Sequence, residues 1–204
     1  MVKIILVRHG ETEWNKIHRI QGGASDVPLN EVGKQQASNV AERLKNEKIQ
    51  AIYSSPLQRA LYTAREIARY HCLEVNLAPA LREIDAGSLE GFPSAELIMS
   101  FDEYICRDNH VQTSGQYPMG EYICDVKKRG WDTIQDIAAQ HQGAVGVVTH
   151  YFVIMTLVCQ ILGLPLTQIG RFRLSPGSIT VFTLDAKEGA RLELFNDSCH
   201  TLNN

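Results

Sequence analysis

The residues best suited to chemistry in this sequence are two histidines and two arginines beside short apolar runs. Arg8-His9-Gly10-Glu11-Thr12 follows the run Val2 to Val7, and Thr149-His150 closes the run that begins at Ala144. A third run, Ala51-Ile52-Tyr53, leads through Ser54-Ser55-Pro56 to Arg59. A single histidine after a strand is more often a hydrogen-bonded structural residue, and a single arginine at a helix start is usually a solvated charge. Four such residues at one edge of a fold are a different matter. Cationic side chains, open backbone N–H groups and the positive end of a helix together make an anion site. Phosphate is the natural guest, because the planar fork of arginine matches its oxygens.

The elements that must position these groups follow from apolar spacing. Val2 to Val7 reads as a strand buried on both faces. Asn30 can cap a helix with Val32, Ala37, Val40, Ala41 and Leu44 inward. Ser55 is a suitable N-cap with Pro56 at the first helical position. Leu57, Ala60, Leu61, Ala64, Ile67 and Ala68 recur at helical spacing in the helix after it, which carries Arg59 in its first turn. Glu74 to Leu77 reads as a third strand, and 88–118 is irregular and taken as a small cap. A long helix from near Gly120 turns Ile123, Val126, Ile134, Ile137 and Ala138 inward, although Gly130 costs ~1 kcal/mol within it. Ala144 to Thr149 is a buried strand, Tyr151 to Leu162 an apolar helix, and Ile179 to Phe195 a hairpin turning at Lys187-Glu188-Gly189. This alternation implies an α/β fold with a mostly parallel sheet and an antiparallel edge strand. Ligands in such sheets bind beyond the carboxyl ends of the strands, where both histidines fall.

Composition narrows the partners. The chain has 204 residues, 44% hydrophobic, with a formal net charge of −3. That suits a single packed domain spanning 1–204 and offers no broad footprint for nucleic acid. The longest apolar stretch, Tyr151 to Leu164, is shorter than the ~20 residues of a membrane span, and the run Ile4 to Val7 stops at Arg8, too soon for a signal peptide. The five cysteines, Cys72, Cys106, Cys124, Cys159 and Cys199, are odd in number, scattered and without a CxxC. They fit reduced thiols in a cytoplasm rather than a disulfide or zinc framework. His18, His71, His110, His141 and His200 show no paired spacing.

Several segments together resemble one family. Arg8 through Asn15 is similar to the RHGE(S/T)xWN signature of the histidine phosphatase superfamily, which includes the phosphoglycerate mutases. Gln21-Gly22 through Asn30 with Gly33 resembles its QGxxDxPLxxxG segment, and Ser54 through Ala64 its SSPLxRAxxTA. Leu81-Arg82-Glu83-Ile84 with Gly87 and Glu90-Gly91 resembles LxExxxGxxEG, and Val147 through His150 the strand of the second histidine. The resemblance covers positions 3 to about 165. It implies a three-layer α/β/α sandwich of the phosphoglycerate mutase-like kind.

It also implies roles. His9 would be the nucleophile that takes the phosphoryl group; Arg8, Arg59 and His150 would hold its oxygens and neutralise charge in the transition state. Asn15 would add a neutral donor, and Gln21, Gly22 and Tyr151 would complete the substrate site. Glu83 would protonate the leaving alkoxide and then deprotonate the attacking water, which needs a raised pKa. The plain alternative for Glu83 is a surface salt bridge to Arg82. His18 and Arg19 lie near the substrate loop. No metal or cofactor is called for. The expected partner is a small phosphorylated metabolite, with neither nucleic acid nor membrane, and a homodimer is left open.

The insertion decides between hydrolysis and isomerisation. Family mutases carry a larger insertion with a lysine and an Arg-Arg pair for a second acidic group. Here 88–118 offers Arg107 against Glu90, Glu96, Asp102, Glu103 and Asp108, which favours a phosphatase. Phe92, Phe101, Tyr104 and Tyr117 can shield a ring or pack the cap. Candidate substrates implied by the small phosphatases of the family are α-ribazole 5′-phosphate, phosphoserine and a broad set of monoesters. The tail Asn196 through His200 resembles that group. Two departures stand out: bulky Tyr151 after the second histidine, where the family has a small residue, and Tyr122 after Gly120-Glu121, where it has serine. The alternatives are a cofactor-dependent phosphoglycerate mutase and a catalytically weak binder of phosphorylated ligands.

Overall fold

The computed structural model describes residues 1–94 and 120–201. A six-stranded sheet in the order β3-β2-β4-β1-β5-β6 forms its middle. The strands are β1 (Val2–Arg8), β2 (Ile49–Ser54), β3 (Val75–Leu77), β4 (Gly143–Thr149), β5 (Ile179–Asp185) and β6 (Gly189–Asp197). β1 pairs in parallel with β4, β4 with β2, and β2 with β3, while the β5–β6 hairpin supplies the antiparallel pairing. Only β5 runs against the other five. The helices are α1 (Glu13–Lys16), α2 (Glu31–Leu44), α3 (Gln58–His71), α4 (Ile123–Gln140) and α5 (Tyr151–Leu162).

The alternation of side chains along β1 creates two cores. Ile5 and Val7 face a cluster with Val40 and Leu44 of α2 and Ala60, Ala64 and Ile67 of α3. Ile4 and Leu6 face the other way, onto Val126 and Ile134 of α4 and Ile154 and Leu157 of α5. Successive residues of a strand point to opposite faces, so a run without a polar position must be covered on both. The three-layer sandwich follows. Gly130 is buried in α4 opposite Val153 of α5, where a Cβ would make only ordinary contact at 3.5 Å.

Two details differ from expectation. Val32 is 51% exposed, and the buried face of α2 is Gly33, Ala37, Val40, Ala41 and Leu44. The apolar side chain at 32 falls one position off the stripe. Asn30 does cap α2, its side chain accepting from Gly33 N at 2.8 Å. Ser55 does not cap α3, which begins at Gln58 rather than at Pro56. Asp26 Oδ1 accepts from Gln58 N at 2.7 Å, so a loop 32 positions away satisfies this helix end. Ser55 is thereby available for the site. Of the cap 88–118, residues 95–118 lie outside the described part, and with them Glu96, Phe101, Asp102, Glu103, Tyr104, Cys106, Arg107, Asp108, His110 and Tyr117.

Candidate active site

Sheet register brings the reactive residues together. Arg8 of β1 is level with Thr149 of β4, and Ser54 of β2 with Val148. Beyond those pairs the ladder continues: His9 N donates to Thr149 O at 3.1 Å and Ser55 N to Val148 O at 3.0 Å. His9, Ser55 and His150 therefore leave three neighbouring strands at one edge. The His9 and His150 rings lie with centroids 5.1 Å apart. The loop after His9 must pass tightly over α2, since a Cβ on Gly10 would fall 2.2 Å from Gly33 O. Both glycines of those motifs serve that crossing. Thr63 of α3 then accepts from Gly10 N at 3.3 Å.

His9 is 3% exposed, and its Nδ1 lies 2.7 Å from Gly10 O. A carbonyl can only accept, so Nδ1 carries the proton and Nε2 the lone pair. Burial, reinforced by Arg59 and Arg8, holds the His9 pKa well below the ordinary histidine value. The ring is neutral and nucleophilic at neutral pH. His150 is held down in the same way by burial, Arg59, His9 and Arg8, and its Nε2 meets Ser55 Oγ at 2.7 Å. Sequence reasoning missed Ser55 because it matched a cap pattern; the cue was its place in the same motif as Arg59.

Arg59 is fully buried, with Nη1 donating to Ser25 O at 2.9 Å and Nη2 to Gly22 O at 3.0 Å. Burial lowers its pKa to about 10, which leaves it charged. Arg8 Nη1 donates to Leu174 O, and its guanidinium lies 5.4 Å from the centre of the Tyr151 ring. Burial lowers the pKa of Arg8 and raises that of Tyr151. Arg8 Nε, Arg59 Nε and His150 Nδ1 are buried without a hydrogen-bond partner among the described residues. Buried donors are ordinarily satisfied, so three together beside His9 suit an anion with several acceptor oxygens.

Glu83 is 5% exposed and reaches the same space. Its Oε1 accepts from Ile84 N at 2.9 Å and from Phe152 N at 3.2 Å. Burial raises its pKa, opposed by those two amides, Arg59 and Arg8. Arg82 makes no salt bridge to it and instead donates to Gly23 O. Arg129 of α4 pairs with Glu121 at 2.6 Å and donates to Ala80 O, bracing the segment before Glu83.

A cavity of about 450 Å³ opens above these groups, with Arg8, His9, Asn15, Gln21, Glu83 and Tyr151 in its wall. Ile20, Ile84, Ala86, Leu89 and Phe152 supply an apolar side, and Arg19 and Ser94 complete the lining. Asn15 Oδ1 accepts from Thr12 N at 3.1 Å, which leaves the amide nitrogen as the end that can donate. Gln21 Oε1 accepts from Thr12 Oγ1 at 2.8 Å. Arg59, His150 and Gly22 stand behind this wall rather than in it. Of the two residues near the substrate loop, Arg19 lines the cavity and His18 does not. Among the described residues no group of three or more His, Cys, Asp or Glu is placed to hold a metal ion. No helix there is long and apolar enough to cross a membrane.

A neutral histidine between two guanidinium groups and opposite a buried carboxyl is an arrangement for moving a phosphoryl group. Comparison with known proteins agrees. The family model for the histidine phosphatase superfamily (branch 1) matches residues 4–198. Phosphoserine phosphatase 1 of Hydrogenobacter thermophilus is 34% identical over 201 residues, covering 98% of this chain and 94% of that protein. A probable phosphoglycerate mutase GpmB of Proteus mirabilis is 38% identical over 184 residues, 88% of this chain and 84% of the relative. The crystal structure of a phosphoserine phosphatase mutant from Entamoeba histolytica, in complex with phosphoserine, superposes with a TM-score of 0.86. It is 33% identical, covering 99% of this chain and 100% of that one.

Proposed function

Because the chain belongs to the histidine phosphatase superfamily, we propose that it hydrolyses small phosphomonoesters through a phosphohistidine at His9. The observation that carries this reading is the neutral His9 ring, its Nδ1–H fixed on Gly10 O, beside unpartnered nitrogens of Arg8, Arg59 and His150. Nε2 of His9 attacks phosphorus, and the P–O bond to the alcohol breaks. Arg8 and the amide of Asn15 hold the non-bridging oxygens from the cavity wall, with Arg59 and His150 behind them, and charge stabilisation does most of the work in phosphoryl transfer. Glu83, protonated, gives its proton to the leaving alkoxide. As a carboxylate it then takes a proton from water, which attacks phosphorus and breaks the P–N bond. No step calls on a metal.

The substrate is proposed to be a small phosphorylated acid of the phosphoserine kind, the substrate named for a relative that matches nearly the whole chain. α-Ribazole 5′-phosphate would lay its ring on the apolar wall of Ile20, Ile84 and Leu89, and it is the ring-bearing arm of the test. Isomerisation is the competing reading, since a probable mutase is also a relative. The test is a panel of monoesters in excess EDTA, with phosphate release and 3- to 2-phosphoglycerate conversion followed together. Hydrolysis that survives EDTA, with acid-labile and base-stable phosphate trapped on the protein, is expected. Activity lost to EDTA and restored by Mg²⁺, or isomerisation faster than hydrolysis, would replace this reading.

A further inference from the structure

Arg19 stands in the cavity wall on the loop after α1, and the chain around it is held as a pedestal. Residues 18–20 are laced to 91–94 by a short antiparallel bridge between Arg19 and Pro93. Ile20 N donates to Phe92 O at 2.9 Å, Gly91 N to Ile20 O at 2.9 Å and Ser94 N to His18 O at 2.8 Å. Arg19 N itself donates to Trp14 O at 2.8 Å. The backbone is fixed; the side chain is not. Among the described residues the guanidinium makes no ion pair and no hydrogen bond, although Lys3, Lys16, Lys34, Arg43 and Arg129 all have carboxylate partners. The one carboxylate in the described lining is Glu83, already engaged by two backbone amides.

From this we infer that Arg19, with the Ser94 hydroxyl beside it, binds a second anionic group of the substrate, a carboxylate. The inference rests on the phosphatase reading above and deepens it. Arg8 and His9 take the phosphate at one end of the cavity, and Arg19 takes the carboxylate at its mouth. A planar guanidinium on a rigid backbone suits a bidentate carboxylate, and an unpaired one has no existing bond to give up. The cation that the insertion 88–118 was expected to lack is supplied from the loop after α1. The preferred substrates are then phosphorylated hydroxy or amino acids rather than phosphates of neutral or cationic alcohols.

Specificity is a ratio, so the test reads one. Phosphoserine and phosphoethanolamine differ by the carboxylate alone, and 3-phosphoglycerate and glycerol 3-phosphate differ by carboxylate against hydroxymethyl. The wild-type protein is expected to favour the acid of each pair about tenfold or more in kcat/KM, as a charge-assisted bond allows. The pair with the larger preference identifies which acid fits. Arg19→Gln should bring each ratio to within about twofold of one, chiefly through KM, and Arg19→Lys should restore part of the preference. Ratios near one in wild type, or ratios that Arg19→Gln leaves intact, would overturn the subsite while hydrolysis of p-nitrophenyl phosphate kept the phosphatase reading standing. No phosphate release from any of the five esters would overturn both.

Discussion

The two ends of the cavity are built differently. At the strand edge His9, Glu83, Arg59 and His150 are buried, at 3%, 5%, 0% and 0% exposure, and the first three are tied to backbone while His150 meets Ser55. At the other end Arg19 lines the cavity from an exposed loop, with its backbone tied to the segment 91–94. Buried groups held by backbone bonds cannot re-aim themselves, which suits a reaction whose transition state demands fixed charges. Exposed groups on a fixed backbone can vary without disturbing the core, which suits selection among substrates. On the proposals above, chemistry belongs to the edge and choice to the Arg19 end.

If that division holds, the largest effects come from the edge. His9→Ala should lower phosphate release by about 10⁴-fold or more, as expected when a nucleophile is removed, with a cooperative unfolding transition retained. Trapped label should vanish with it. Label persisting in the variant would shift the nucleophile to His150. Glu83→Gln should come next, costing roughly 10²- to 10⁴-fold on phosphoserine. Its cost on p-nitrophenyl phosphate should be far smaller, because that leaving group hardly needs a proton. Equal losses on both esters would take the acid role away from Glu83.

Between edge and mouth lies the loop 22–25, and here the division can be sharpened. Glu90 accepts from Ala24 N at 2.9 Å and from Ser25 N at 2.6 Å, while Ser25 O and Gly22 O receive Arg59. The carboxylate thus holds the loop that holds the guanidinium. Glu90→Gln keeps the size but turns one acceptor oxygen into a donor facing an N–H. Roughly tenfold in kcat, with KM little changed, and a lower Tm are expected from the lost charged bond. A change confined to Tm would make Glu90 a fold residue only.

Much of this was legible in the sequence, and for identifiable reasons. Ile4 to Val7 and Val145 to Val148 have no polar interruption, so their burial on both faces, and the end of each strand in a histidine, could be read directly. Asn30 announced its helix because its partner, Gly33 N, is three residues away. What escaped were bonds between residues distant in the chain. Asp26 caps α3 from the loop before α2, and Ser55 meets His150 across 95 positions. The hand of Arg19 was hidden for the same reason: nothing in the local pattern says that 18–20 pairs with 91–94. Val32 shows the opposite failure, an apolar type in a helical window that geometry places outside the stripe.

The smallest expected effect concerns pH, and it tests whether the edge is as dry as its burial indicates. His9 and His150 are both held well below the ordinary histidine value, first by burial and then by Arg59. In the unfolded chain each would titrate near about 6.5. The folded state therefore binds fewer protons than the unfolded one below that pH, and stability present above it is lost as the pH falls. Each histidine can contribute a slope of up to about 1.4 kcal/mol per pH unit. Glu83 has the opposite sign, because its folded pKa is raised: the stability it contributes is present at low pH and lost as pH rises through that value. Denaturant unfolding between about pH 7.5 and 5.5 should therefore show falling stability in wild type and a shallower fall in His9→Ala. A slope that His9→Ala left unchanged would mean that water reaches this ring in the folded protein, and the sharp contrast between edge and mouth would go with it.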